Sequence, residues 1–494
     1  MIGLWLALAL HAAAMEPPAD PFAPVTTALA SGKRGEAGEL LVGLVNDPAA
    51  VAVHGQAWRA MAGVLTDLDL DSAALVAWHN ALKVDAPNTG ANLPAILELA
   101  KTLGDEDLLA PGAAPWLGVA PDANSRSRVG YLAARHQLRS DNLGAAAGLL
   151  PIVDKSSPDW ADARALKGIT ASEQGQHQVA IDAFSEALTA GRAANRGERW
   201  LSNGQLNLAR AYFAAGNFGQ AMVHYSLVSR EASAWPEAQF ERAWAHFRAE
   251  DMAGSLALLV THDSPFFDQA YLPEADLLRA QGLFLMCKFQ DASKRIDGFV
   301  NDWTPVLQTL DTSLGSMDAA AAFADVRAHK AGETTRLPVS QLAPFAREDR
   351  FSDSDAFVTK ADSDLVRISS LGGGALADWA KGATQARRDA VVGAAGQRVL
   401  NRAESARTEL REMLSGIEIT RLDLLNLEAQ MYEKAAATGK LEYGDPIGRL
   451  RKLSKDRVGF RVWPFQGEYW MDELGWYRID SRPDCPSDMA AGDR

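Results

Sequence analysis

Glu468, Asp472 and Glu473 fall within six residues of one another in the stretch RVWPFQGEYWMDELGWYR, residues 461–478. The same 18 residues hold three tryptophans, two tyrosines and a phenylalanine. Two carboxylates about 5 to 9.5 Å apart can hydrolyse a glycosidic bond, and indole rings can stack on sugars. On a helix, Glu468 and Asp472 would share a face, being four apart. Catalytic pairs, however, usually come from separate elements, and acids this close in sequence are common by chance. A simpler reading makes Trp463, Tyr469, Trp470 and Trp476 apolar anchors that fasten the C-terminal tail back onto the rest of the chain as a latch. A glycan-binding tail that touches peptidoglycan is the other reading the aromatic residues leave open.

Little else in the chain suggests chemistry. There is no P-loop, no G-x-G-x-x-G after a strand, no H-E-x-x-H and no G-x-S-x-G. The nine histidines are scattered, so no metal, no cofactor and no catalytic residue is expected. Cys287 and Cys485 are the two cysteines, too few for a disulfide scaffold. In an exported chain they would form one bridge or stay as two thiols. The net charge of −14 argues against nucleic acid, whose phosphates need a basic face. It argues equally against docking on anionic lipid.

The elements that position these residues come next. Ile2–Leu10 is a short apolar run, and Ala12, Ala13 and Ala14 offer a small-residue cleavage site. Residues 1–14 therefore read as a signal peptide, which places the protein in the periplasm; a cytoplasmic location is the alternative. No stretch is long and apolar enough for a membrane helix, which needs about 20 residues. From residue 56 onward the sequence repeats. In LSNGQLNLARAYFAAGNFGQAMVHYSLVS, residues 201–229, Leu208, Ala209 and Tyr212 line one helical face. Gly216 and Asn217 break the helix, and Ala221, Tyr225 and Val228 form a second face. Small residues recur in the first helices at Ala134, Gly168, Ala209, Ala243 and Ala280, in steps of 34, 41, 34 and 37. They recur in the second helices at Ala146, Ala180, Ala221, Ser255 and Ala292, in the same steps.

This pattern resembles the tetratricopeptide repeat (TPR), whose period is about 34. Trp58, Met61, Ala62, Leu65, Ala74, Trp78, Ala81 and Pro87 fit the same pattern upstream. The resemblance implies an all-α solenoid over residues 15–300, with clear repeats near 56–87, 128–158, 162–192, 203–235, 237–268 and 274–300. One degenerate repeat would fit between Asn88 and Pro121, although APGAAPWLGVAPDA reads as loop. Carried onto this chain, the family's groove positions are Tyr131, Arg135, Leu206, Arg210, Phe213, Phe240, Trp244, Phe247 and Phe284. The aromatic wall they form would bind a partner's helix or extended peptide, or pack against the protein's own C-terminal part. SPFFDQAYLPEADLLRAQGLFLMCKFQDASKRI is similar to segments of TPR proteins in the envelopes of gliding and related Gram-negative bacteria. That resemblance implies an envelope complex and other envelope proteins as partners.

Residues 301–374 read as a connector of helix and loop. TTRLPVSQLAPFAREDRFSDSD would be a loop with a short helix, and SSLGGGALADW a hinge. A long helix follows over 375–437, and residues 438–494 form the aromatic tail. Val399, Ala403, Ala406, Leu410, Met413, Ile417, Thr420, Leu424, Leu427 and Met431 alternate steps of four and three, a heptad seam. Over 399–431 it would pair with an earlier helix of the chain or with a second copy as a dimer. The expected whole is a non-enzymatic interaction scaffold exported to the cell envelope. A glycan-binding envelope protein and a cytoplasmic TPR adaptor are the alternatives.

Overall fold

In the computed structural model the described residues, 20–438 and 466–479, are helices and turns with no strand among them. Twenty α-helices follow in chain order: α1 (Ala23–Ala30), α2 (Arg34–Asn46), α3 (His54–Asp67), α4 (Asp71–Val84), α5 (Ala86–Thr89), α6 (Leu93–Leu103), α7 (Ala123–Arg139), α8 (Leu143–Leu149), α9 (Trp160–Glu173) and α10 (His177–Ala193). Then come α11 (Glu198–Ala214), α12 (Phe218–Ser226), α13 (Trp235–Arg248), α14 (Met252–Val260), α15 (Pro273–Leu285), α16 (Phe289–Leu314), α17 (Ala319–Ala331), α18 (Val339–Ala346), α19 (Asp349–Ser369) and α20 (Ala375–Thr438). The fold is all-α, a TPR-type helix-turn-helix solenoid followed by a long helix.

The repeat shows most plainly in its turns. Within the pairs α7–α8, α9–α10, α11–α12, α13–α14 and α15–α16 the turn residue has a left-handed backbone: Asp141, Gly175, Gly216, Glu250 and Cys287. Their positions step by 34, 41, 34 and 37, the spacing of the small residues. At each turn the next residue's N–H reaches back five residues: Asn142 to Gln137, Gln176 to Ala171, Asn217 to Tyr212, Asp251 to His246, Lys288 to Leu283. This closes the exposed carbonyls of the first helix. Asn142, Asn217 and Asp251 then accept from the first free N–H groups of the second helix, which is how short polar side chains start helices. Where small residues recur, the helices touch. A methyl on Gly168 would stand 2.5 Å from the Phe184 ring, so that position admits nothing larger without a shift in the ring.

Contacts divide the chain into two units. The first holds the described residues up to Leu103 together with Thr359–Arg387. Its core is built from Leu41, Met61, Leu65 and Leu70 with Ile368, Leu376 and Ala380. Trp58 packs against Trp379 with ring centres 5.5 Å apart. Fully buried Asp364 accepts from the Ser72 N–H at 3.0 Å and pairs with Lys360 at 2.8 Å. Glu39 accepts from the N–H groups of Ala375 and Leu376, so a carboxylate covers the first donors of α20.

The second unit is Gly104–Val358 with the described residues from Arg388 onward. Of the stretch 88–121, α6 belongs to the first unit, and 3-10 turns at Glu106–Leu108, Ala110–Gly112 and Ala114–Gly118 belong to the second. Past residue 300 the chain stays helical, as residues 302–330 were expected to be. α16 continues to Leu314 through Pro305. RFSDSD, expected in a loop, lies within α19. The three glycines Gly372, Gly373 and Gly374 all have positive φ and form the bend before α20.

The heptad seam is spent inside the protein. Val399, Ala403, Ala406, Leu410, Ile417 and Leu424 are all buried, and Ile417 and Leu424 pack among Ile296, Phe299 and Ala280 of α15 and α16. Tyr271 donates its hydroxyl to the Ala406 carbonyl at 3.0 Å. Of the two expected pairings the described seam makes the one with earlier helices of the chain, and a dimer through it would have to expose that core. The side chain of Met431 lies outside the described residues.

Candidate functional site

The candidate site is the wall of first helices α7, α9, α11, α13 and α15. At its α7 end the positions meet their own chain. Tyr131 lies between Arg128 and Arg135, whose guanidinium carbons are 5.5 and 5.6 Å from its ring centre. Arg128 pairs with Glu106 and Asp159. Arg135 reaches Glu106 at 3.3 Å and Asp107 at 3.2 Å. Asp107 also meets Arg139 at 2.7 Å and Arg350 at 3.2 Å. Tyr131 and Arg135 are half-buried and take part in an internal ion-pair network.

Burial pushes the Asp107 carboxyl up, but Arg139, Arg135 and Arg350 more than offset it and bring the group down to about 2. A depressed carboxyl stabilises the fold above the ordinary carboxylate range of about 4. The contribution is lost as pH falls from there towards 2. Part of it is screened, because the side chain is partly exposed. We expect the thermal midpoint of the native chain to fall more steeply between pH 4 and pH 2 than that of Asp107→Asn. Parallel slopes in the two acid titrations would refute the assignment.

Leu206 and Phe240 are 5% and 7% exposed. Leu206 packs with Tyr225 and Trp235, and Phe240 with Leu256 and Leu259. Both are core, not groove, because the neighbouring helices cover those positions. Phe284 is half-buried beside Phe289, against Met413, Leu414 and Leu427 of α20. The long helix thus occupies the α15 end of the wall.

What remains partly open is the stretch from α11 to α13. Arg210 Nε reaches both carboxylate oxygens of Glu241, at 3.0 and 2.9 Å, and its Nη2 lies 2.8 Å from Glu237. Burial works against the Arg210 charge, but Glu241 and Glu237 outweigh it and hold the guanidinium above its usual range. Burial and Glu241 push the buried Tyr225 hydroxyl up as well. Phe213 lies edge-on to Phe218 at 5.3 Å, and Trp244 edge-on to Phe247 at 5.5 Å. All four rings are half-buried. The aromatic pairs can hold an apolar side chain, while Arg210 is already answered by Glu241 and Glu237.

The tail, residues 466–479, lies on the α12–α14 region. Leu474 is fully buried among Tyr225, Val228, Trp235 and Phe267, with Tyr469 and Tyr477 packed beside it. Arg230 donates to the carbonyls of Met471 and Leu474, at 2.7 and 3.4 Å. The Gly475 N–H donates to the Thr261 hydroxyl at 2.9 Å. Trp470 and Trp476 are 60% and 57% exposed. The anchoring expected of them is corrected: Leu474 takes that place, because the turn at Trp470–Gly475 points the leucine inward. Its signal in the sequence is an aliphatic residue before a glycine, and Gly475 does adopt positive φ. Glu468 and Asp472 are exposed on this non-helical segment and do not share a helical face. Trp463 and Cys485 lie outside the described residues. Cys287 occupies the α15–α16 turn, and its bridge to Cys485 remains an expectation. Among the described residues no group of three or more His, Cys, Asp or Glu side chains could hold a metal.

No family model and no curated protein matches this chain. Among solved structures it is similar to a tetratricopeptide repeat protein from Parabacteroides merdae, at 16% identity over 47% of this chain and 86% of that one, with a TM-score of 0.26. It is also similar to the TPR domain of P58(IPK), at 14% identity over 83% of this chain and 98% of that one, TM-score 0.19. A circular tandem repeat protein with a novel repeat topology shares 12% identity over 82% of this chain and 90% of its own, TM-score 0.13. The TPR-type description rests on the chain's own helix pairs and the regular spacing of their turns.

Proposed function

We propose that this protein is a non-enzymatic scaffold that binds a partner's helix or extended peptide on the α11–α13 wall. The observation that carries the reading is the open group of exposed Arg210 and half-buried Phe213, Trp244 and Phe247. A partner's apolar side chain would pack against these rings, beside Arg210 held by Glu237 and Glu241. The partner belongs to a cell-envelope complex, and the chain reaches it by export. The apolar run at Ile2–Leu10 and the alanines behind it support export, and sequencing the N-terminus of the mature protein tests it. An intact Met1 would favour the cytoplasmic adaptor.

The groove is tested by capture from gently solubilised, cross-linked cells. Trp244→Ala with Phe247→Ala should weaken a captured partner at least tenfold, the range of aromatic hot spots. A partner held as tightly by that variant, at an unchanged thermal midpoint, would exclude this wall. One observation favours a second reading. Trp470 and Trp476 stand exposed on a segment that Leu474 holds in place, a geometry suited to stacking on sugar rings. Sedimentation with purified peptidoglycan that Trp470→Ala and Trp476→Ala together abolish would make the tail a glycan-binding site.

A further inference from the structure

A cavity of about 390 Å³ opens between the α14–α15 connection, α16 and the start of α18. Phe267, Ala270, Leu272, Ala275 and Val306 give it an apolar lining, and Trp303 forms one wall. Two contacts fix the Trp303 ring. Its Nε1–H donates to Asp276 at 3.0 Å, and Tyr271 meets it edge-on at 5.5 Å. Its size falls within that of small-ligand pockets, about 300–1,000 Å³, and its lining is mixed, with His262, Asp263, Asp268, Asp276, Arg295 and Asp302 beside the apolar residues.

The charges around the cavity do not balance. Arg295 bridges Asp263 at 2.8 Å and Asp276 at 3.0 Å. Arg279 also pairs with Asp263. Two arginines thus answer two aspartates. Asp268 and Asp302 line the same cavity, and among the described residues neither takes part in an ion pair. The Asp276 carboxyl is raised by burial and by Asp263, despite Trp303 and Arg295. The site therefore carries surplus negative charge beside a rigid indole face.

We propose that this cavity binds a guanidinium group. A planar cation with a weak hydration shell can lie against Trp303 and donate to Asp302 and Asp268 together. A compact ammonium would match the charge but not the flat wall. The guanidinium belongs to an arginine side chain on a partner segment or to a free arginine-like molecule, and the test separates these sources. The cavity shares no residue with the Arg210–Phe247 wall, so the two proposals fail independently.

The test is calorimetric titration of the full chain with a Gly-Gly-Arg-Gly-Gly amide, with the citrulline peptide of the same shape, and with free arginine. The arginine peptide should bind at least tenfold more tightly than the citrulline peptide. Asp268→Asn with Asp302→Asn should weaken it at least tenfold; both side chains are exposed, so the thermal midpoint should hold. Trp244→Ala should leave the affinity unchanged. Free arginine binding as well as the peptide would assign a small molecule, and weaker binding would assign a partner chain. Equal binding of the citrulline peptide, unchanged binding by the double variant, or no heat from either peptide at millimolar concentration would overturn the proposal.

Discussion

Gly396→Ala should destabilise the second unit by about 1–3 kcal/mol or more, while Gly393→Ala, one turn away, should stabilise it. A methyl built on Gly396 would stand 1.7 Å from the Ala319 carbonyl oxygen, at the start of α17. That atom is backbone, so no side chain can rotate out of the way; α20 and α17 must separate. The move would disturb the buried seam around Val399 and Ala403. A methyl at Gly393 meets nothing within 4 Å. There the change replaces a poor helix former by the best one, worth about 0.5–1 kcal/mol. Thermal unfolding of the two variants should therefore shift in opposite directions. Shifts of the same sign would mean that α20 does not approach α17 this closely.

Leu474→Ala should release the tail. The side chain is fully buried, and removing a buried leucine costs about 2–5 kcal/mol. Short surface segments rarely have that much local stability to lose. Limited proteolysis should then cut within residues 466–479 while the repeats stay intact. Trp470→Ala and Trp476→Ala remove larger but exposed rings and should change stability by less than about 0.5 kcal/mol. A tail that survives Leu474→Ala and is lost with the tryptophans would restore the aromatic latch.

The repeats were legible because their cause is local. Close helix contact demands small residues such as Ala209 and Gly168, and the spacing shows on the page. The turn residue was less legible. Asp141, Glu250 and Cys287 adopt the left-handed backbone as Gly175 does, because the hydrogen bond reaching back five residues fixes the conformation whatever the side chain. The groove was read from positions within one helix, and that is where the reading failed. Whether Phe284 faces solvent depends on α20, more than 120 residues further along. Whether Arg135 is free depends on Glu106 and Asp107, held by 3-10 turns that no periodicity announces. The seam from Val399 to Leu424 was plain, but nothing in a heptad names its partner. The Trp303 cavity draws on residues from His262 to Ser340, and only the fold brings them together.

The Leu474 contact also sets an order of events in time. Each repeat pairs helices that are neighbours in sequence, so the solenoid can fold turn by turn as it is synthesised. The tail instead joins Thr261 to Gly475 and Arg230 to Leu474, across 214 and 244 residues. Contacts this distant form slowly, because a large loop must close before any contact rewards it. When α12, α13 and α14 are complete, the residues that will cover Tyr225, Trp235 and Phe267 have not yet been made. During that interval the future seat of Leu474 is an open apolar face. A chaperone or an assembly partner could hold it then, and closure by the tail would be the last step that dismisses them.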